Sequence, residues 1–496
     1  MLLLRIDRAS DLPAYRQICD RIVSLVDEGA LLPGDRLPPT RKLGASIGLH
    51  RSTVVRAYEE LQALGYIESK AGSYSTIRRR ERPPTSGARP LDETPRSGAI
   101  NWNAVTRPSI RALHSLAAME TRRIQPPLDT VDLDHLTADA SLAPGDDLRR
   151  SIKSLLARMG GASLDYADAA GWGSLRETIA ARMCNHGVGV SRDEILITSG
   201  AQFALDLLLR FLTAPGDRVV VEAPTYGMAH ALLRLNGVTP IEVPLAQDGM
   251  DLGALERALK RQRRPKLVYT MPNFHNPTGI TTDQEHRERL LLLCEEHRVP
   301  LVEDGFEEEM KYFGQAVLPV KSMDTRGVVL YVGTFSKVVF PGLRIGWIAA
   351  PPEAIQRLTD IQHASCIAGN TLAQAAAARF CTGGHFESYL RRIHRVYRRR
   401  LRALLQGLEE HMPPGVRWTR PSGGYTAWLT LPPGAGDEAS VIGHSAQAGV
   451  RVGPGSRYFS RPPNTTHLRL SIACEDEKRI EIGCRRLGQA LAGKVP

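Results

Sequence analysis

Apolar residues recur at helical spacing near the start of the chain and in strand-length runs further on, and this change of period divides it. Tyr15, Ile18, Ile22 and Leu25 repeat at intervals of three, four and three, which places them on one helix face. Pro33-Gly34 then predicts a turn, because proline fixes φ and glycine accepts the reversal. A short helix is expected from Thr40, burying Leu43 and Ile47 and breaking near Gly48. A second runs from Arg51 to Leu64, with Val54, Tyr58, Leu61 and Leu64 on its inner face. Gly65 ends it, and residues 66–77 predict two short strands around a tip, a β wing.

Periodicity fades at Arg78-Arg79-Arg80, and proline, arginine, glycine, serine and threonine dominate to about residue 125, which is linker composition. Beyond it, apolar runs alternate with amphipathic stretches. Strands are expected at 194–198, 218–222, 266–270, 300–304, 328–332 and 346–349, and helical patterns between them argue for a largely parallel sheet. The predicted organisation is a winged helix-turn-helix (α+β) over 1–78 and a linker over 79–125. Residues 126–496 then form an α/β unit with a mostly parallel sheet and a smaller C-terminal α/β subdomain.

Composition narrows the function. The chain has 496 residues, 42% of them hydrophobic, enough for a large core. Its formal charge of +11 favours a polyanionic partner, although many basic proteins bind none. Seven scattered cysteines, with no C-x-x-C pair and no histidine at ligand spacing, indicate neither a zinc site nor a disulfide framework and fit a reducing cytoplasm. No signal-peptide core and no apolar run near the ~18 residues of a membrane span is present, so a soluble protein with no metal and no membrane partner is expected. Arg391, Arg392, Arg395, Arg398, Arg399, Arg400 and Arg402 interleave with Leu390, Ile393, Val396, Tyr397 and Leu401, which reads as an amphipathic helix with a solvated basic face.

Candidate chemistry sits at the two ends of this plan. Ser52, Thr53 and Arg56 lie off the apolar face on the first two turns of the Arg51 helix, the layout of a recognition helix whose N-terminal residues face base edges. In the α/β unit, Ser199-Gly200-Ala201-Gln202 precedes a helix and offers its amides to an anion. Asp304 ends an apolar strand, where burial asks for a partner such as a protonated ring nitrogen. Lys337, expected to be unpaired between an apolar strand and Pro341-Gly342, would be desolvated and suited to a Schiff base. Taken singly, a capping carboxylate and a solvated lysine are the commoner explanations.

Two resemblances change that weighing. Residues 33–43 and 51–61 resemble a GntR-type winged helix-turn-helix, through Pro33-Gly34-Asp35-Arg36-Leu37-Pro38-Pro39-Thr40-Arg41 and Arg51-Ser52-Thr53-Val54-Val55-Arg56. The resemblance implies DNA contacts by Arg41, Arg51, Thr53 and the wing glycine Gly72, with Ser52 and Arg56 beside them. His50 stands where a serine N-cap is usual, which predicts capping weaker by ~1 kcal/mol. The wing tip Gly72-Ser73-Tyr74 lacks a customary second glycine.

From Asp165 onward the chain resembles fold-type I, class I/II aminotransferases that use pyridoxal phosphate. The carrying motifs include Gly171-Trp172-Gly173-Ser174-Leu175-Arg176, Pro272-Asn273-Phe274-His275-Asn276-Pro277-Thr278-Gly279, Gly333-Thr334-Phe335-Ser336-Lys337 and Leu468-Arg469-Leu470. The resemblance implies Lys337 as the Schiff-base lysine, Asp304 on the pyridinium nitrogen, Tyr226 stacked on the ring and Asn276 on its phenolate oxygen. It implies a phosphate held by Gly200, Ala201 and Gln202 with Thr334, Ser336 and Arg344, and a ligand carboxylate held by Arg469. Phe306 stands where a second donor to the phenolate, a tyrosine, is usual. Together the two halves resemble the MocR/GabR regulators, which implies a homodimer binding double-stranded operator DNA, with pyridoxal 5'-phosphate and a small amine or amino-acid effector controlling it. The alternative is an active aminotransferase with an accessory DNA-binding head.

Overall fold

The computed structural model describes residues 6–7, 10, 12–69, 74–78, 100–107, 109–111, 113, 129–161, 165–246, 248–315, 317–339 and 341–493. They form two compact units, divided between Ile100 and Asn101.

In the first unit, helices α1 (Ala14–Asp27), α2 (Thr40–Ile47) and α3 (Arg51–Ala63) pack around Ile18, Ile22, Leu43, Val54 and Leu61. Gly48, at φ +67, ends α2 in the left-handed conformation that glycine adopts without cost. Gly44 lets α2 approach the turn, since a Cβ there would lie 2.9 Å from the Leu49 carbonyl oxygen. His50 caps α3 after all: its ring nitrogen accepts the Ser52 N–H at 3.4 Å and meets the Ser52 hydroxyl at 2.7 Å. An imidazole acceptor replaces the serine oxygen, at the long end of hydrogen-bond range. Strands β1 (Ile67–Glu68) and β2 (Thr76–Ile77) pair antiparallel, and the turn segment joins them, with Leu37 N–H donating to Ser75 and Gly34 N–H to Ile77. The wing tip with Gly72 lies outside the described residues.

The second unit is built on a seven-stranded sheet. Strands β4 (Ile195–Thr198), β5 (Arg218–Ala223), β6 (Thr239–Pro244), β7 (Val268–Thr270), β8 (Leu301–Asp304), β9 (Val329–Thr334) and β10 (Gly346–Ala349) lie in the order 4-10-9-8-7-5-6. Only β10 runs antiparallel to its neighbours. Helices cover both faces, which is why the strands read as unbroken apolar runs rather than alternating ones. Val219, Val221, Val302 and Leu330 pack against Leu205 and Leu208 of the helix Ala201–Leu212. Val220, Val268, Leu301 and Val329 meet Leu255, Leu290 and Leu291 on the other side. The edge strand β6 was not expected; its Thr239-Pro240-Ile241-Glu242-Val243-Pro244 carries two prolines, which only an edge tolerates.

A smaller antiparallel sheet follows, from β11 (Arg417–Trp418), β12 (Thr426–Thr430), β14 (Gly453–Pro454) and β15 (His467–Ser471) in the order 11-12-15-14. Strand β13 (Val450–Arg451) pairs in parallel with β3 (Val131–Asp132), tying the unit's first described strand to its C-terminal part. The helix His385–His411 buries Leu390, Ile393, Tyr397 and Leu401 as expected and exposes most of its arginines. Arg400 is an exception to the solvated basic face: it is buried, with a guanidinium N–H donating to Asp139 at 2.6 Å.

Candidate functional site

The loops that follow β4, β5, β7, β8 and β9 gather along one edge of the sheet, where open α/β sheets place ligands. They wall a chamber of about 110 Å³, open to solvent on one side.

Strand β8 delivers the acid. Side chains alternate along it: Glu303 turns to the scaffold, where its two oxygens accept the Val320 and Lys321 N–H groups at 2.8 Å each. Asp304 turns to the chamber, and its Oδ2 accepts the Tyr269 hydroxyl at 2.8 Å. Its Oδ1 is buried and has no hydrogen-bond partner among the described residues. Burial pushes this carboxyl up to about 6, against the Tyr269 hydrogen bond that favours the ion. The same burial, with the Asp304 charge, lifts the Tyr269 hydroxyl well above its ordinary value, so it stays a donor.

Strand β9 ends in Thr334 and leads to Ser336 and Lys337, all lining the chamber. Thr334 Oγ1 accepts the Ser336 N–H at 3.0 Å, fixing the turn. Lys337 Nζ donates to the Leu136 carbonyl at 2.9 Å. The expectation of an unpaired lysine is therefore corrected: a segment 201 residues earlier crosses the site and supplies a backbone acceptor.

An anion cradle closes the far corner. Gly200 has φ +89, and a Cβ on it would sit 2.5 Å from Arg344 Nη2, so the guanidinium lies against bare Cα. Arg344 Nη2 donates to the Ser199 carbonyl at 3.1 Å, and Nη1 lies 3.4 Å from the Ser336 hydroxyl. Ala201 and Gln202 open the helix Ala201–Leu212 and line the chamber, which places the positive end of that helix's dipole at the same corner. The buried Gln202 Oε1 has no partner among the described residues.

Tyr226 and Asn276 line both this chamber and a wider pocket above it, which Arg469 on β15 also lines. Asn276 Oδ1 accepts from Arg469 Nη1 at 3.4 Å. Phe306 is an apolar wall of the chamber, its ring buried in the core on the helix Ala201–Leu212 side of the sheet. All eleven positions expected to surround a cofactor thus lie in or against one cavity, and Arg469 lines the adjoining pocket.

Three further residues were not read from the sequence. Tyr269 looked like an ordinary strand residue. Asp134 lies under Arg469 and Arg457, each pair at 3.1 Å; burial works to raise its carboxyl, and the two arginines outweigh that and hold it below the usual carboxylate range. Glu307 is fully buried, its Oε2 accepting the Tyr425 N–H at 3.1 Å. Burial pushes it up to about 8 while the Lys337 charge pulls it back. In the first unit, Arg41, Arg51 and Ser52 are exposed and Thr53 is half-buried on α3. The Arg56 guanidinium stacks 4.0 Å from the Tyr15 ring centroid. Among the described residues no His, Cys, Asp and Glu cluster could hold a metal, and no helix is long and apolar enough to cross a membrane.

Comparison with known proteins fits this geometry. Residues 135–487 match the family Aminotransferase class I and II. The chain belongs to that family. Residues 14–77 of this aminotransferase-family chain also match Bacterial regulatory proteins, gntR family. Aromatic-amino-acid aminotransferase 1 of Thermococcus litoralis is 34% identical over 384 residues, covering 76% of this chain and 92% of that protein. The probable rhizopine catabolism regulatory protein MocR of Rhizobium meliloti is 28% identical over 490 residues, 98% of this chain and 96% of its own length. Pyrococcus horikoshii kynurenine aminotransferase, solved in complex with PMP, superposes with a TM-score of 0.73 at 33% identity, over 80% of this chain and 98% of that one. The second unit is a fold-type I aminotransferase fold, and the joining of both modules in one chain is the MocR-type architecture.

Proposed function

We propose that the chain is a DNA-binding transcription regulator that carries pyridoxal 5'-phosphate on Lys337 and responds to a small amine or amino acid. The observation that carries this reading is the orphaned Asp304 Oδ1, buried in a chamber that also holds Lys337 and an anion cradle, in a chain that displays an exposed recognition-helix N-terminus. A buried carboxylate oxygen without a donor is costly unless a cationic N–H meets it, and the cofactor's ring nitrogen is such a group.

The residues divide the work. Asp304 accepts from the ring nitrogen and Tyr226 lies on the ring face. Asn276 donates to the ring oxygen, where Phe306 leaves the usual second donor absent. The Gly200, Ala201 and Gln202 amides, the Thr334 and Ser336 hydroxyls and Arg344 hold the phosphate, a dianion suited to a helix N-terminus and a guanidinium fork. Pyridoxal phosphate, when bound, would supply a carbon electrophilic toward amines and a ring that withdraws electrons from it. Arg469 orients an amino-acid carboxylate, and the buried Tyr269 keeps Asp304 aimed. On the DNA side, Arg41, Arg51, Ser52, Thr53, Arg56 and Gly72 form the reading surface of residues 1–78. Residues 79–125 tether it, and residues 126–496 bind the ligand and form a homodimer that sets two heads on two half-sites. An effector shifts operator affinity only through its different affinity for the two arrangements.

Footprinting of the DNA flanking the gene, with and without pyridoxal phosphate and candidate amines, tests the reading; protection indifferent to cofactor and amines refutes it. The second reading, an active aminotransferase with a DNA-binding head, is favoured by the likeness to Aromatic-amino-acid aminotransferase 1 over 92% of that protein. Steady-state turnover of amino donors with a 2-oxo acid would establish it.

Two substitutions probe the chamber. The Asp304 carboxyl is raised to about 6 from 3.8 in the cofactor-free protein, so the folded state holds its proton more tightly than the unfolded chain. Stability therefore falls as pH rises from about 4 through 6, by roughly 3 kcal/mol at ~1.4 kcal/mol per pKa unit. Asp304→Asn is expected to raise the melting temperature of the cofactor-free protein at pH 8, leave it unchanged near pH 4, and remove most of the stabilisation by added cofactor. Melting curves at both pH values check all three. Phe306→Tyr supplies the missing donor and is expected to lower the pH midpoint of the cofactor's visible absorbance; identical midpoints in the two proteins would refute the role given to position 306.

A further inference from the structure

The pocket above the chamber already contains a carboxylate, and it belongs to the chain. Asp134 follows β3 and reaches the pocket from one side, while Arg469 comes from β15 and Arg457 from the turn after β14. Its Oδ1 lies 3.1 Å from Arg469 Nη2 and its Oδ2 3.1 Å from Arg457 Nη1, so one guanidinium meets each oxygen. Arg469 Nη2 also donates to the Asp134 carbonyl. Two residues on, the Leu136 carbonyl takes the Lys337 ammonium at 2.9 Å. The short stretch 134–136 therefore touches both the lysine that would meet a ligand's amine and the arginine that would meet its carboxylate.

We propose that Asp134 is an internal stand-in for the carboxylate of an amino-acid effector, held by a two-arginine clamp of Arg469 and Arg457, and that a carboxylated amine binds by taking its place. The inference rests on the function proposed above and deepens it. The exchange keeps the clamp itself balanced, because one carboxylate between the two guanidinium groups is replaced by another. The backbone on either side is pinned, with Leu133 N–H on Arg451 O at 2.9 Å and Ser471 Oγ on His135 O at 2.7 Å, so the swap is a movement of the Asp134 side chain. Asp134 then sets the effector threshold: while it fills the clamp, apparent affinity is lowered by the fraction of time the clamp is open. Ligands lacking a carboxylate do not compete with it.

The test uses the full-length, cofactor-loaded protein and two probes that differ only by a carboxylate, L-leucine and isoamylamine. Binding is read by calorimetry and by the cofactor's absorbance. Asp134→Asn is expected to tighten L-leucine binding on the order of tenfold and to leave isoamylamine within twofold or so. Should the lone substitution prevent folding, the charge-balanced comparison of Arg457→Gln with Asp134→Asn/Arg457→Gln asks the same question and predicts the same direction. Unchanged or weaker L-leucine binding overturns the proposal, as does an equal gain for isoamylamine. If both amines still alter the absorbance in that case, the pyridoxal-phosphate reading of the pocket survives. If neither amine alters it in any of these proteins, both readings fall.

Discussion

Lys337→Ala is expected to yield a folded protein that purifies without visible absorbance and whose operator affinity no longer responds to amines. Lys337 Nζ donates to the Leu136 carbonyl, and its charge draws down the buried Asp304 and Glu307 carboxyls, so the variant takes up protons at those two groups while the surrounding core is untouched. Its loss to the site is total, because no other described lysine lines the chamber to hold an aldehyde. An effector coupling of the usual size, about 5–150-fold in affinity, should collapse to none. Operator binding in the absence of amines should keep its salt dependence, since the head is a separate compact unit. The decisive pair of measurements is absorbance and operator titration on one preparation. A variant that loses absorbance yet still responds to amines would detach sensing from Lys337.

The second large effect lies in the other unit. Arg51→Ala is expected to weaken operator binding by ~1–3 kcal/mol if the guanidinium reads a base, with specificity relaxed at that position. Arg41→Ala should weaken all sequences alike and reduce the slope of log affinity against log salt by about one, the mark of a phosphate contact. Both side chains are exposed, so neither change should move the melting temperature. Arg56 differs. Its guanidinium stacks on Tyr15, so Arg56→Ala also removes a contact worth ~0.5–1 kcal/mol to the fold. Melting curves beside the DNA titrations separate reading from packing.

What the sequence disclosed follows from how each feature is encoded. Asp304, Lys337, Asn276 and Arg344 stand at the ends of apolar runs, where a polar residue is conspicuous, and their motifs keep local order. The head was legible for a similar reason, since the α2–turn–α3 spacing is set within residues 40–63. Asp134 was not legible: its partner Arg469 lies 335 positions away and only the fold joins them. Tyr269 was hidden by its own suitability for a strand, because nothing in an apolar run tells a core tyrosine from one whose hydroxyl meets an acid. The lysine's acceptor is a backbone carbonyl, which carries no sequence signal at all. Arg400 failed as a surface residue because its charge is matched by Asp139, again distant in the chain and adjacent in space.

The neighbours Glu303 and Asp304 have chemically similar side chains with opposite duties: one is bolted to the backbone at Val320 and Lys321, the other faces the chamber. Which carboxylate does which job is decided by the parity of β8 alone. A single-residue insertion or deletion within that strand would exchange them, leaving a glutamate too long for the chamber and an aspartate too short for the anchor. The segment should therefore tolerate point substitution far better than a change of length. An evolving copy of this gene can drift in its cofactor chemistry one side chain at a time, but one codon gained or lost within β8 would disable chamber and scaffold together.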